Sequence, residues 1–222
     1  MDINVTKQNL TQELAIIPAK KALYKTVKRI IDLILAFWGL IILSPIFVII
    51  AVAIKVESKG PVFFKHTRVG KNGEIIKIYK FRTMVDKAED LIKKFTPEQM
   101  KEYKENYKLK NDPRITKIGK ILRRASLDEL PQLINIIKGE LAIIGPRPVV
   151  QEELEKYGVN AEKFLSVTPG LTGNWAANGR SCTSYEHRMK MELFYVDNIS
   201  LKLDVEIFFK TIETVIKREG AM

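Results

Sequence analysis

The longest uninterrupted apolar stretch in the chain runs from Leu33 to Ile54, where no charge occurs and Ser44 is the only hydroxyl-bearing residue. About 20 apolar residues suffice to cross a bilayer core. Ser44 and Pro45 sit at its middle. Proline removes a backbone donor and clashes with the carbonyl four residues back, so the pattern predicts a kink or break there, with the Ser44 hydroxyl available to the freed carbonyl. Both flanks are basic: Lys20, Lys21, Lys25, Lys28 and Arg29 come before, and Lys55, Lys59, Lys65 and Arg68 after. Basic flanks are retained in the cytoplasm, which favours both ends on one side. Leu33 to Leu43 makes roughly 16 Å of helix, about half of a hydrocarbon core. Three arrangements fit: a re-entrant helix turning at Ser44-Pro45, a kinked spanning helix, or a buried helix of a soluble protein. Met1 to Ala19 mixes Asp, Glu, Asn, Gln and Pro without a secretory signal and reads as a loose arm.

Downstream the periodicities shorten. Val62, Phe63 and Phe64, then Lys71-Asn72-Gly73, then Ile75 to Tyr79 predict a β-hairpin. Val85 to Lys110, rich in Lys and Glu, predicts a solvated helix. After a turn at Asp112-Pro113, Ile115, Ile118, Ile121 and Leu122 recur at helical spacing beside Lys117, Lys120, Arg123 and Arg124, predicting a basic amphipathic helix. Leu130 to Lys138 reads as another helix, closed by Gly139, and Gly145-Pro146-Arg147-Pro148 as a stiff loop. Leu201, Val205, Phe208, Ile212, Val215 and Ile216 share one helical face, suited to the core or to a membrane surface. The expected fold is α+β and mostly helical: an arm over 1–27, a membrane helix over 28–56 and a catalytic domain over 57–222.

Charge narrows the partners. The 37 Lys and Arg against 26 Asp and Glu give a net +11, which favours polyanions: nucleic acid, anionic lipid or phosphorylated small molecules. A nucleic-acid module would need aromatics interleaved with basic residues, whereas most Phe and Tyr here lie in apolar or strand-like runs. The single cysteine, Cys182, excludes an internal disulfide. His66 and His187 have no neighbours at metal-ligand spacing, and neither a P-loop nor a dinucleotide fingerprint occurs.

The candidate chemistry centres on Asp128 and Glu129, within Ser126-Leu127-Asp128-Glu129-Leu130-Pro131. Ser126 and Glu129 have capping-box spacing, but Pro131 favours a helix that begins at Asp128. Capping and catalysis are both open readings, and they are compatible. Arg82, Arg114, Arg123, Arg124, Arg147 and Arg180 lie beside turns or apolar elements, and guanidinium groups bind phosphate bidentately. A carboxylate pair with arginines makes phosphoryl transfer plausible, with magnesium held between carboxylate and phosphate oxygens.

Six motifs in order carry a resemblance that spans nearly the whole chain: Gly60-Pro61-Val62-Phe63-Phe64, Tyr79-Lys80-Phe81-Arg82-Thr83-Met84, Ser126 to Gln132, Gly145 to Pro148, Pro169-Gly170-Leu171-Thr172-Gly173 and Asn178-Gly179-Arg180. With the Ser44-Pro45 pair, they resemble the bacterial sugar transferase family of monotopic phosphoglycosyl transferases. The resemblance implies a re-entrant helix broken at Ser44-Pro45, interfacial amphipathic helices and a site on the cytoplasmic face of the inner membrane. It implies Asp128 as nucleophile towards a UDP-sugar, Glu129 as its helper, magnesium on Asp128 and Glu129, and phosphate contacts from Lys80, Arg82, Arg123, Arg147 and Arg180. Undecaprenyl phosphate would accept the sugar-1-phosphate and UMP would leave. Membrane lipid and a second copy of the chain are the other expected partners, and nucleic acid is not one. Ala176, Ala177 and Glu192 depart from the residues common in such proteins. An ordinary glycosyltransferase, releasing UDP, is the rival enzyme, and a scaffold without activity the remaining alternative.

Overall fold

The computed structural model describes residues 3–106, 109, 112–179 and 183–217. Helix α1 (Ile3–Glu57) contains the whole apolar stretch, and Ala22–Glu57 is long and apolar enough to cross a membrane. The helical assignment continues through Ser44-Pro45, where the sequence predicts a break. The cause is local. Pro45 cannot donate to the carbonyl of Ile41, four residues back, and the Ser44 hydroxyl donates to that same carbonyl at 2.8 Å. With its orphaned acceptor satisfied, the helix need not end there. It also starts at Ile3, so the segment expected as a loose arm is helical.

One face of α1 docks along the rest of the molecule. Lys28 pairs with Asp204 at 3.0 Å, and Arg29 donates to the carbonyls of Ile136 and Ile137 at 2.6 and 2.8 Å. Buried Asp32 accepts the Ile143 amide at 3.0 Å. Ala36, Leu40 and Leu43 enter the main core, Phe47 packs edge-on against Phe81, and Ile50 and Ile54 are buried with Leu122. Finally the Glu57 carboxylate accepts the amides of Lys117 and Ile118 at 2.6 and 3.0 Å. Steps of three and four residues keep these positions on one helical face. Away from that face Ile30, Ile34, Phe37, Trp38, Ile42, Ile49, Val52 and Val56 are exposed.

The hairpin forms as expected. Strands β1 (Phe63–Val69) and β2 (Ile75–Phe81) pair antiparallel, Phe63 opposite Phe81 and Val69 opposite Ile75, around a turn whose Asn72 and Gly73 take positive φ. The single helix expected over Val85 to Lys110 is instead a 3-10 segment, Ala88–Lys94, followed by α2 (Pro97–Asn106). Pro97 forces the restart. Thr96 and Gln99 then form a reciprocal cap, the Gln99 amide on the Thr96 hydroxyl at 3.2 Å and the Thr96 amide on the Gln99 side chain at 3.0 Å.

Helix α3 (Lys117–Arg124) is capped by Thr116 and crosses the end of β2 at Gly119, where a Cβ would come within 2.0 Å of the Thr83 carbonyl. A 3-10 segment, Leu127–Gln132, leads into α4 (Leu133–Lys138), which Gly139 closes at φ 84°. Strand β3 (Ala142–Ile144) pairs parallel with β4 (Gly170–Thr172) across a connection holding α5 (Gln151–Leu154) and α6 (Ala161–Leu165). Three-residue strands offer too little alternation to be read from sequence. Helices α7 (Asn174–Asn178), α8 (Tyr185–Asp197) and α9 (Leu201–Lys217) complete the described fold. The C-terminal helix appears where its periodicity placed it. It buries Asp204, Ile207 and Thr214 and exposes Val205, Phe209, Ile212 and Ile216.

Asn135 joins the hairpin to α4. Its side chain, 0% exposed, accepts the Tyr79 amide at 3.0 Å and donates to the Lys77 carbonyl at 2.8 Å and to Glu140 at 2.6 Å. Asn135→Leu would leave a buried donor and acceptor on β2 unsatisfied, at about 1–3 kcal/mol each. Denaturant unfolding of the detergent-solubilised protein is expected to show a loss of about 2–4 kcal/mol. A change below half a kilocalorie would mean that these groups find other partners.

Candidate active site

Asp128 and Glu129 lie in the 3-10 segment Leu127–Gln132, between α3 and α4. The segment begins one residue before the start expected at Asp128. Ser126 holds the N-cap position in the left-handed region, φ 56°, with no side-chain cap bond, so the capping-box alternative is not formed. Pro131 is accommodated because the segment is 3-10 and short. The carboxylates therefore occupy a tight turn, flanked by Leu127 and Leu130 that pack under α1 with Phe81 and Leu122.

Three basic residues of the expected set converge on this pair. Lys80, on β2, meets Glu129 at 2.6 Å, and the Arg147 guanidinium stands 3.8 Å from the same Glu129 oxygen. Arg123, on α3, is held by a hydrogen bond from its Nε to the Thr83 hydroxyl at 2.9 Å. Asp128 is buried, and that burial, with the adjacent Glu129 charge, pushes its carboxyl above the ordinary carboxylate value, while Lys80 and Arg123 pull it back. The site thus holds a carboxylate that is poorly solvated yet faced by fixed positive charge. Such a group is a stronger nucleophile than one in bulk water and a ready ligand for a cation.

Arg82 is placed elsewhere. Its guanidinium donates to the Lys59 and Ser58 carbonyls and the Ser58 hydroxyl, tying the end of β2 to the end of α1. Gly60, at φ 113°, leaves room for that guanidinium. Arg114 pairs with buried Asp112 at 2.6 Å, and Arg180 lies outside the described residues. Asp128 and Glu129 present two hard oxygen donors side by side, and no group of three or more His, Cys, Asp or Glu forms among the described residues. That donor set fits an ion such as magnesium, which takes one or two carboxylates and completes its sphere with phosphate oxygens and water.

The Arg147 loop is pinned from several directions. The Gly145 amide donates to the Thr172 carbonyl and the Gly170 amide to the Pro146 carbonyl, each at 2.9 Å. The Val69 amide donates to the Val149 carbonyl at 2.8 Å. Gly173 permits the contact, since a Cβ there would meet the Gly145 carbonyl at 2.1 Å. The Arg147 guanidinium lies over Trp175 at 5.7 Å, and that of Arg188 lies over the same ring at 4.8 Å. Arg188 and Arg68 also share Glu153, at 3.2 and 3.6 Å. His66, among Arg68, Lys80 and Arg147, is pushed down to about 4 by burial and then by those charges, so it stays neutral.

Sequence reasoning missed Arg68, Trp175 and Arg188 as neighbours of the site, and it singled out Glu192 without a role. Trp175 lies two residues past the Pro169 to Gly173 motif, a signal that was available. Glu192 had none beyond its departure from the common residue.

Comparison with known proteins finds a family and several relatives. The model of a family described as bacterial sugar transferase matches residues 23–218. The exopolysaccharide production protein ExoY of Rhizobium meliloti (strain 1021) is 44% identical over 197 residues, covering 87% of each chain. The undecaprenyl-phosphate galactose phosphotransferase of Salmonella typhimurium is 40% identical over 197 residues, 87% of this chain and 41% of that one. A UDP-N-acetylgalactosamine-undecaprenyl-phosphate N-acetylgalactosaminephosphotransferase of Aeromonas hydrophila is 35% identical over 206 residues, 90% of this chain and 46% of that one.

Proposed function

This chain belongs to the bacterial sugar transferase family, and we propose that it moves a sugar-1-phosphate from a UDP-sugar to undecaprenyl phosphate by way of a covalent intermediate on Asp128. It is a transferase enzyme, as its relatives named sugar phosphotransferases are. The observation that carries the mechanism is the buried Asp128 carboxylate, faced by Lys80 and Arg123 and adjacent to a Glu129 already engaged by Lys80.

In the first step an Asp128 oxygen attacks the sugar-bearing phosphorus. The bond from that phosphorus to the bridging oxygen breaks, and UMP departs with the electron pair. A mixed anhydride of carboxylate and sugar phosphate remains. In the second step a phosphate oxygen of the lipid attacks the same phosphorus, the bond between that phosphorus and the Asp128 oxygen breaks with its electron pair going to the carboxylate, and Asp128 is regenerated beside a polyprenyl diphosphate sugar. Division into two displacements lets a water-soluble donor and a lipid acceptor use one site in turn. Lys80, Arg123 and Arg147 neutralise the diphosphate and hold it in line. Bound at Asp128 and Glu129, magnesium would supply further charge neutralisation.

The membrane reading rests on α1. Lys28 and Arg29 near one end and Glu57 at the other are bonded to the same polar domain. Two such ends cannot lie on opposite faces of a hydrocarbon core of about 30 Å while that domain stays in water. A monotopic seating on the cytoplasmic face of the inner membrane meets this constraint, a re-entrant course requiring that α1 bend at Ser44-Pro45 without ending there, with Ile30, Ile34, Phe37, Trp38, Ile42 and Ile49 in lipid.

With a panel of UDP-sugars, undecaprenyl phosphate and magnesium, the enzyme is expected to release UMP, to stop on chelation and to be inactive as Asp128→Asn. Because the nucleophile must be ionised and its carboxyl sits above the ordinary value, activity falls on acidification before an exposed carboxylate would titrate. Release of UDP, or full activity in Asp128→Asn, would refute the mechanism. For the membrane seating, cysteines introduced at Ala22 and Ser58 are expected to react from the same side of sealed vesicles; reaction from opposite sides would show a spanning helix.

A further inference from the structure

Between Pro146 and Pro148, Arg147 supplies the only backbone N–H of its tripeptide, because proline has none. That amide does not join the β3–β4 pairing that holds Gly145 and Pro146. It donates instead to Oε1 of Glu192, on α8, at 3.1 Å. Glu192 is 1% exposed, and its Oε2 is buried without a hydrogen-bond partner. A buried carboxylate is costly unless several donors or charges compensate it, and here one amide and two nearby guanidiniums, those of Arg188 and Arg147, do so. Those guanidiniums share the Trp175 ring, and the outer edge of this stack is where Arg147 reaches Glu129.

We infer that Glu192 is a positioning residue for the transfer reaction: from beneath the Arg147 loop it fixes the height and direction from which the Arg147 guanidinium addresses Glu129 and the donor phosphates. The inference rests on the function proposed above for Arg147, but its structural half, the hold on the loop, is independent of any substrate. Glu192 touches neither the carboxylate pair nor a reacting atom; it acts through Arg147. Burial pushes its carboxyl up to about 7, against the lowering effects of the Arg147 amide and of Arg188 and Arg147. The tyrosines whose titration it influences are Tyr157 and Tyr185. Glu192 is therefore charged above neutral pH and loses its charge as pH falls through that value, so the loop is held most firmly on the alkaline side.

Two measurements on the full-length protein in detergent test this. The first is hydrogen exchange over the Pro146 to Pro148 segment, whose one exchangeable backbone amide is that of Arg147. In Glu192→Ala that amide is expected to exchange at least about tenfold faster, with Glu192→Gln between it and the native protein. The second is a double-mutant cycle on UMP release. Glu192→Gln is expected to lower kcat/KM about tenfold in the native background and not at all in an Arg147→Ala background, because one acts through the other. The change in kcat/KM near pH 7 should also disappear in Glu192→Gln. Unaltered exchange at Arg147, or losses that multiply in the double variant, would overturn the inference. If the native protein released no UMP from any donor, the proposed function would fail, and the exchange measurement alone would decide the hold of Glu192 on the loop.

Discussion

The structure depends on a helix that must satisfy two solvents on two faces. Along one face of α1 every third or fourth residue is committed to the domain, by charge at the ends and by apolar packing between. Between Ile30 and Val56 the opposite side exposes Ile30, Ile34, Phe37, Trp38, Ile42, Ile49, Val52 and Val56, a continuous apolar face of the kind that marks an interaction surface. The terminal charges are as informative as the apolar residues. Lys28 pairs with Asp204 on the last helix, and Glu57 takes the free amides that open α3, so α1 is fastened to both the late and the early parts of the domain.

That fastening also sets the depth of the site. Phe47, Ile50 and Ile54 of α1 pack on Phe81 and Leu122, and Leu127 and Leu130 close over the same cluster. Asp128 and Glu129 lie between those two leucines in sequence, so the carboxylates are carried by residues seated against the membrane helix. Lys80 comes from the residue before Phe81, where strand alternation turns it away from that core and towards Glu129. The arginines arrive by different routes: Arg123 from α3, anchored on Thr83, and Arg147 from a proline-stiffened loop resting on Glu192 and Trp175. An apolar helix, a hairpin and a rigid loop are each needed to set a handful of charges around one buried carboxylate.

Much of this was legible in the residues. The apolar run, the hairpin turn at Asn72-Gly73, the Gly139 stop and the C-terminal amphipathic helix carry strong local signals, and the structure has them. The readings that failed did so where a side chain repaired a local rule. A break at Pro45 is absent because the Ser44 hydroxyl satisfies the freed carbonyl; the segment expected to start at Asp128 starts one residue earlier, as a 3-10 turn opened by a left-handed Ser126. The motif that holds Arg82 implies a phosphate contact, and the structure shows its guanidinium on carbonyls at the end of α1. Pairings between distant segments, such as β3 with β4 or Arg147 with Glu192, leave no periodic trace in one sequence. The family was legible through the order of its motifs, whereas the contacts that hold Arg147 in place required the fold.

The proposed chemistry requires that Asp128 become covalently attached to the sugar phosphate. The most direct measurement is the mass of the intact protein after incubation with a UDP-sugar and magnesium in the absence of lipid acceptor, followed by peptide mapping. An added sugar phosphate is expected on the peptide containing Asp128, discharged when undecaprenyl phosphate is supplied. An unmodified protein that nonetheless turns over donor and acceptor together would contradict it and point to direct transfer between the two substrates.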